Sequence, residues 1–189
     1  MKIILGSSSP SRKAVLTSMG FVFTVISPDI DEKAIRKENP RDLVEAIAQA
    51  KMDAVLPLVQ EDAIVITSDQ VMVVDGKVRE KPRSKEEAYE FLSTFSTKPQ
   101  TATSCTVVCN TATGKRVSAI DEVTVTMDPV PDEYVKSFIE SGEAMKYAGG
   151  LAAEHPSFLP YVHFDGEMES LMGLPKEKTQ KMIEEVGSV

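Results

Sequence analysis

The first residues whose types and spacing could do chemistry lie close to the N-terminus. They are three serines and one arginine: Ser7, Ser9, Ser11 and Arg12. Because Pro10 favours the first position of a helix, these serines are predicted to lie in a turn from a strand into a helix. Hydroxyls, free backbone N–H groups and a planar guanidinium together favour phosphate binding. The same residues could instead form only a helix cap and a solvated basic turn.

Two carboxylates form the second group of candidates. Asp69 follows the apolar segment 63–68, which reads as a buried parallel strand. Ligands of open α/β sheets bind beyond the carboxyl ends of such strands, so Asp69 could hold a divalent metal or take a proton from water. It could also be an ordinary turn aspartate. The pair Asp31 and Glu32 would suit Mg²⁺ beside bound phosphates, although a chain with 29 acidic residues has many solvated acids.

Two lysines and one glutamate complete the candidates. Lys51 lies at the far end of a predicted helix, and Lys81 follows a predicted hairpin. Either could be a solvated surface lysine. Glu154 follows the double glycine at 149–150, which lets the backbone approach a ligand closely. Its carboxylate could accept two hydrogen bonds from the edge of a base, but a flexible loop explains the same residues.

The elements that must position these residues follow from the apolar periodicity and the turn residues. Strands are predicted at 3–5, 21–26, 63–68, 71–74, 77–79, 101–108 and 117–126, and helices at 10–19, 41–56, from 84 onward, at 131–140 and at 176–186. The β-loop-α-β opening predicts an α/β fold whose first sheet is largely parallel.

Composition limits the class of protein that these residues could serve. The 189 residues, 42% hydrophobic and 26% charged, fit one globular domain or two joined lobes. A net charge of −8 argues against a protein that coats nucleic acid, although local cations could still bind a small polyanion. Neither a membrane span nor a secretory signal is expected. Cys105 and Cys109 are predicted about 13 Å apart in one strand, too far for a disulfide, which favours a reducing cytoplasm.

Taken together, these segments resemble the Maf family of nucleoside triphosphate pyrophosphatases over about residues 3–175. Six short family motifs occur in order. They are matched by Ser7, Ser9, Pro10 and Arg12; by Asp31 and Glu32; by Ala48 and Lys51; by Asp69, Gln70 and Val71 with Gly76, Lys81 and Pro82; by Ala148 and Gly149; and by Gly173, Leu174 and Pro175. Each motif alone is weak, but six in order at family-like spacing are specific.

The resemblance implies an α/β fold of the elongated, two-lobed Maf and inosine triphosphatase type, with a mixed sheet and a central cleft in a single domain over 1–189. It implies hydrolysis of a nucleoside triphosphate to the monophosphate and pyrophosphate with a divalent metal, Mg²⁺ or Mn²⁺. Asp69 would be the general base, and Glu32 would share the metal or the attacking water. The phosphates would be held by Ser7, Ser9, Arg12, Lys51 and Lys81, and Lys81 also belongs to the expected catalytic set.

Substrate choice in the family varies at the positions of Ser11, Gln70 and Glu154. Gln70 and Glu154 resemble the branch that prefers 7-methyl-GTP, whereas the dTTP/UTP branch usually has threonine and glutamine there. A carboxylate suits the paired N–H donors of guanine and the positive charge of a 7-methylated ring. The chain departs from the family at Ser11, at Leu151, where an aromatic is usual, and at His155, where glycine is usual. UTP and CTP therefore stay as alternative substrates.

The expected role is the removal of modified nucleotides in the cytoplasm, with no nucleic acid polymer or membrane as a partner. The family also suggests a homodimer. The alternative is a regulator of cell division that binds a nucleotide in the same pocket without hydrolysing it. Such a protein would need no base beside the phosphates, so Glu32, Asp69 and the lysines favour the enzyme.

Overall fold

The fold was analysed in a computed structural model that describes residues 1–188. The strands are β1 (Lys2–Leu5), β2 (Phe23–Val25), β3 (Ala63–Val74), β4 (Lys77–Arg79), β5 (Gln100–Asn110), β6 (Arg116–Met127) and β7 (Val162–Phe164). The helices are α1 (Pro10–Ser18), α2 (Pro40–Val55), α3 (Lys85–Thr94), α4 (Asp132–Glu140), α5 (Met168–Leu171) and α6 (Lys176–Gly187). Short 3₁₀ turns cover Glu32–Ala34, Leu56–Leu58, Glu143–Lys146 and Ala148–Gly150.

The seven strands form one mixed sheet in the order β2-β1-β3-β5-β6-β7, with β4 paired to β3. Within residues 1–188 only the pairs β1–β2 and β1–β3 are parallel. The remaining pairs are antiparallel. Short turns join β3 to β4 and β5 to β6, whereas β4 and α3 lie between β3 and β5 in the chain. The α/β class with a mixed sheet is confirmed, and the largely parallel part is limited to three strands.

The sequence analysis was wrong about where β3 ends. Segments 63–68 and 71–74 form one strand of 12 residues, and Asp69 lies near its middle, opposite Cys105 of β5. The strand continues because β5 gives it an uninterrupted antiparallel partner from Ile64 to Val73. Asp69 nevertheless lies just beyond the last parallel pair with β1, which is at Ile66.

The sheet has a gap at this point. In the described part of the chain, the pairing of β1 with β3 ends at Ile66, and the pairing of β4 with β3 begins at Met72. Between these residues β3 has a strand neighbour only on its β5 side. The gap leaves space beside Asp69 for side chains from the loop after β1 and from α2.

Three hydrophobic clusters support this sheet. Since successive side chains of a strand point to opposite faces, Val65 packs under α2 on one face and Ile66 packs with α1 and α6 on the other. A third cluster surrounds Phe95 and Phe158 and receives Met72 from the far end of β3. Thus β3 contributes to every cluster.

The helix starts agree with the sequence analysis. The side chains of Ser9, Asn39 and Ser84 accept hydrogen bonds from backbone N–H groups at the beginnings of α1, α2 and α3. In contrast, β7 and α5 were not predicted, because segments of three and four residues carry too little periodicity. The absence of a disulfide is confirmed: Cys105 and Cys109 are free and buried, and burial raises the pKa of the Cys105 thiol to about 12.

None of the helices within residues 1–188 has both the length and the apolar character needed to cross a membrane.

Candidate active site

The loop between β1 and α1 folds around the side chain of Ser7. The buried Ser7 hydroxyl accepts hydrogen bonds from the backbone N–H of Ser9 at 3.2 Å and from Nη1 of Arg12 at 3.3 Å. Gly6 allows the loop to pass close over β3, because a Cβ there would lie 2.6 Å from Thr67. The loop and the start of α1 thus bring together the hydroxyls, backbone N–H groups and guanidinium that the sequence analysis expects to bind an anion.

Arg12 is fixed from the C-terminal part of the chain. Its Nε donates to the carbonyl oxygen of Gly173 at 3.0 Å, and the Ser68 hydroxyl donates to the same oxygen at 2.8 Å. Burial lowers the pKa of Arg12, while the carboxylates of Asp69 and Glu32 act in the opposite direction. Because the ordinary pKa of arginine is so high, the guanidinium stays charged.

Lys51 joins the two predicted carboxylates. Its Nζ lies 2.7 Å from Oδ1 of Asp69 and 2.9 Å from Oε1 of Glu32. The lysine reaches the gap in the sheet because α2 packs against β3, where the Thr67 hydroxyl donates to the carbonyl oxygen of Ala48 at 2.9 Å. The side chains of Lys51 and Asp69 are only 7% and 9% exposed, whereas that of Glu32 is 49% exposed. The Lys51 ammonium therefore joins the buried carboxylate of Asp69 to the half-exposed carboxylate of Glu32.

The environment shifts the two carboxylates in opposite directions. Burial raises the pKa of Asp69 above its ordinary value, against the effect of Lys51 and Arg12. The negative charge of Glu32 adds to this increase. Burial by itself would also raise the pKa of Glu32. The surrounding cations, among which Lys51 has the largest effect, nevertheless lower this pKa overall. The positive charge of Lys81 contributes to that decrease.

Ten predicted site residues line one cleft of about 1310 Å³, whereas the Asp31 carboxylate accepts from the backbone N–H of Lys33 at 3.1 Å and does not line it. The ten residues are Ser7, Ser9, Ser11, Arg12, Glu32, Lys51, Asp69, Gln70, Lys81 and Glu154. The structure therefore brings together residues that are far apart in sequence. Several further cations line the cleft, among them Lys33, Arg36 and Arg83. A locally basic cleft in an acidic protein can bind a small polyanion.

Ser11 and Glu154 meet on another wall of the cleft. The Ser11 hydroxyl donates to Oε1 of Glu154 at 2.6 Å and so links α1 to the loop before β7. Gln70 lies nearby, and its amide nitrogen donates to the carbonyl oxygen of Ser170 at 2.9 Å. Leu151 lines the cleft, whereas the ring of His155 packs against Phe138 with 4.9 Å between ring centroids.

Sequence reasoning missed two residues of the site. Ser68 had no assigned role, yet it shares the Gly173 carbonyl with Arg12. Tyr147 lines the cleft immediately before the Ala148–Gly149 motif, and that position was the only signal that could have found it.

The two carboxylates fit a magnesium-type ion that is shared with substrate. Lys51 occupies one oxygen each of Asp69 and Glu32, which leaves the second oxygen of each for another ligand. Within residues 1–188 no group of three or more His, Cys, Asp or Glu side chains is placed to hold a metal. Mg²⁺ needs only one or two protein carboxylates when phosphates and water supply its other ligands.

These features define an α/β protein in which a serine-containing loop, a buried arginine and a pair of carboxylates line one basic cleft. The chain belongs to the Maf family, because the family model described as "Maf-like protein" matches residues 2–186.

Relatives of known name are similar over almost the whole chain. A 7-methyl-GTP pyrophosphatase of Dictyostelium discoideum is 40% identical, over 97% of this chain and 96% of the relative. A dTTP/UTP pyrophosphatase of Neisseria gonorrhoeae is 33% identical, over 98% and 94%. Among solved structures, a nucleoside triphosphatase, dITP/XTP pyrophosphatase, of Mycobacterium abscessus matches with a TM-score of 0.39 and 14% identity, over 69% of this chain and 76% of that one.

Proposed function

We propose that this protein is a nucleoside triphosphate pyrophosphatase that releases pyrophosphate and the nucleoside monophosphate. The observation that carries the proposal is the contact of Lys51 with both Asp69 and Glu32 beside the anion-binding loop. The names of the relatives, 7-methyl-GTP pyrophosphatase and dTTP/UTP pyrophosphatase, support it. The catalytic cleft would lie between two lobes of a single domain.

Binding of the triphosphate falls to the cations and hydroxyls of the cleft. Ser7 and Ser9 offer hydroxyls at the start of α1, and Arg12 adds a guanidinium held by Gly173. Lys51 and Lys81 line the same cleft and supply ammonium groups. Phosphoryl transfer spreads negative charge over the phosphate oxygens, so fixed cations stabilise its transition state without having to reorganise.

Asp69 acts as the general base. A water oxygen bonds to phosphorus at the α–β anhydride, the bond to the pyrophosphate oxygen breaks, and the water proton passes to the Asp69 carboxylate. A raised pKa makes this carboxylate a stronger base than an exposed aspartate. Lys51 holds the carboxylate in place through Oδ1.

Glu32 and Asp69 would hold the divalent ion, Mg²⁺ or Mn²⁺, through the oxygens that Lys51 does not occupy. When bound, the ion would neutralise charge on the phosphates and help to orient them. The lowered pKa of Glu32 keeps this side chain ionised for that role.

Glu154, Ser11 and Gln70 would recognise the base. The carboxylate of Glu154 favours 7-methyl-GTP as the substrate, with UTP or CTP as the alternatives, and this chemistry fits removal of modified nucleotides. The net charge of −8 supports a small nucleotide rather than a nucleic acid polymer as the partner. The buried free thiols support a location in the cytoplasm, and a homodimer completes the proposal.

The test is a screen for pyrophosphate release with Mg²⁺, and then with Mn²⁺, over 7-methyl-GTP, UTP, CTP, dTTP and the common nucleotides. Release from at least one substrate, lost in Asp69→Asn, is the expected result. Tight nucleotide binding without release after long incubation would contradict the proposal and favour the regulator of cell division.

A further inference from the structure

Two polar side chains of β3 hold the turn that precedes α6. Ser68 and Gln70 lie two positions apart on the strand, so both point to the same face of the sheet. The Ser68 hydroxyl donates to the carbonyl oxygen of Gly173 at 2.8 Å, and the Gln70 amide nitrogen donates to the carbonyl oxygen of Ser170 at 2.9 Å. The strand therefore fixes the backbone of this turn at two points.

The carbonyl oxygen of Gly173 has two donors, which come from different parts of the fold. Ser68 is fully buried and donates from the sheet, whereas Nε of Arg12 donates from α1 at 3.0 Å. A carbonyl oxygen has two lone pairs, so it can accept both hydrogen bonds at once. Ser68 thus holds the oxygen to which Arg12 donates.

Ser68 also adjoins the proposed general base along the strand. The side chain of Asp69 points to the opposite face of β3, where its Oδ1 lies 2.7 Å from Nζ of Lys51. The same Nζ lies 3.5 Å from the backbone oxygen of Ser68. Because β5 pairs with both Ser68 and Asp69, the ladder fixes their relative position. Two successive residues of one strand therefore contact groups of the site on both faces of the sheet.

We propose that Ser68 is a positioning residue, which fixes the Arg12 guanidinium relative to Asp69 through the carbonyl oxygen of Gly173. This inference rests on the proposed function and deepens it, because it names the group that sets the place of a phosphate-binding cation relative to the base. Ser68 does not contact the substrate itself, since its side chain is buried. Its effect on the rate comes from alignment, to which phosphoryl transfer is sensitive.

The test measures kcat/KM in Ser68→Ala, with the best substrate of the pyrophosphate-release screen. Alanine removes only the hydroxyl, so the Gly173 oxygen loses one of its two donors, and kcat/KM should fall about 10-fold. Thr106→Val is the matched control, because Thr106 lies directly opposite Ser68 on β5 and is also buried. Within residues 1–188 the Thr106 hydroxyl has no hydrogen-bond partner, so its removal should leave kcat/KM unchanged.

A double-mutant cycle separates positioning from a general effect on the fold. Arg12→Lys keeps the positive charge but has no Nε donor for the Gly173 oxygen. In this background Ser68→Ala should cause little further loss of kcat/KM, because there is no guanidinium left to position. The Tm of each variant shows whether it is folded. A loss of the same size in both backgrounds would overturn the inference.

The ¹H–¹⁵N signal of the Arg12 Nε–H group reports its bond to Gly173 without requiring activity. In Ser68→Ala this signal should shift and its proton should exchange faster with water, whereas Thr106→Val should leave both unchanged. An unchanged signal in Ser68→Ala would overturn the inference and leave the pyrophosphatase intact. A wild type that releases no pyrophosphate from any nucleotide would overturn the proposed function itself, and the signal would still show whether Ser68 orients Arg12.

Discussion

The guanidinium of Arg12 donates through Nε to the carbonyl oxygen of Gly173, 3.0 Å away. This bond joins the first helix to the segment before the last one, across 161 positions of the chain. It explains why the Gly-Leu-Pro motif belongs to the site although none of its side chains could bind phosphate. The motif supplies a backbone carbonyl, and the carbonyl orients the arginine.

Gly173→Ala should therefore damage activity more than stability. Gly173 has a φ of +83°, and a Cβ there would lie 3.1 Å from Oε1 of Gln70 and 3.2 Å from Nε of Arg12. Displacing the guanidinium by a fraction of an ångström should lower kcat/KM by about 10- to 100-fold. Steady-state kinetics and thermal unfolding would measure the two effects.

Gly20→Ala is the control for Gly173→Ala. Gly20 has nearly the same φ, +81°, but no atom lies within 4 Å of the position of its Cβ. Both variants should lose about 1 kcal/mol of unfolding free energy or somewhat more from backbone strain. Equal kcat/KM values for the two variants would contradict the role of Gly173 in holding Arg12.

Asp69→Asn should abolish most of the turnover and leave the protein at least as stable as the wild type. Loss of a general base lowers kcat by about 10³-fold. The raised pKa means that the fold disfavours the charged form of Asp69, so the neutral amide removes an unfavourable charge. The measurements are kcat, nucleotide affinity and Tm, with the exposed Asp62→Asn as control. Turnover at the wild-type rate would show that Asp69 is not the base.

The acid side of the pH profile should lie above the pKa of an ordinary aspartate, which is about 3.9. Because the folded pKa of Asp69 is raised, the active carboxylate is lost at a higher pH as the solution is acidified. The sign for stability is the reverse. The contribution of Asp69 to the free energy of unfolding is fully present below the pKa that this group has in the unfolded chain. It is lost as the pH rises through the pKa that it has in the folded protein.

Two substitutions separate the causes of this shift. Glu32→Gln removes a negative charge and should move the Asp69 titration to lower pH, whereas Lys51→Gln removes a positive charge and should move it to higher pH. The ¹³C carboxyl shift of Asp69 followed by NMR reports both changes without requiring activity. Shifts in the same direction would refute the electrostatic account.

Glu154→Gln should weaken the selection of a 7-methylated guanine more than it slows pyrimidine nucleotides. The amide keeps the shape of the side chain but loses the negative charge and one acceptor for the paired N–H donors of guanine. The measurement is kcat/KM for 7-methyl-GTP and UTP. Glu143→Gln, a nearby change of the same kind without the Ser11 contact, should leave the ratio unchanged. Equal losses on both nucleotides in Glu154→Gln would remove Glu154 from base recognition.

Local features of the fold were predictable from the sequence, and features that depend on distant partners were not. Ser9, Pro10 and Ser84 mark helix starts through interactions within a single turn, so their types suffice. The continuation of β3 past Asp69 depends on β5, which begins more than 30 positions later in the chain. A strand boundary of this kind cannot be read from the segment itself.

The same distinction applies to the site. The motif residues could be named because their order resembles a family, but the contact of Lys51 with both carboxylates requires α2, β3 and the loop of Glu32 to meet. Tyr147 belongs to no motif that the sequence analysis used. Only the packing of the turn after α4 brings it to the cleft that Ser11 and Glu154 also line.

The gap in the sheet beside Asp69 has a mechanical consequence. From Ile66 onward β1 no longer holds β3, and β4 joins only at Met72, so the sheet forks into two arms that share β3 and β5. The arm with β1 carries the serine loop and Arg12, and the arm with β4 leads to Lys81. The fork thus separates the serine loop and Arg12 from Lys81, and Asp69 lies where the two arms diverge. The two halves of the cleft are therefore joined through the continuous ladder between β3 and β5, which fixes the distance across the cleft at Asp69.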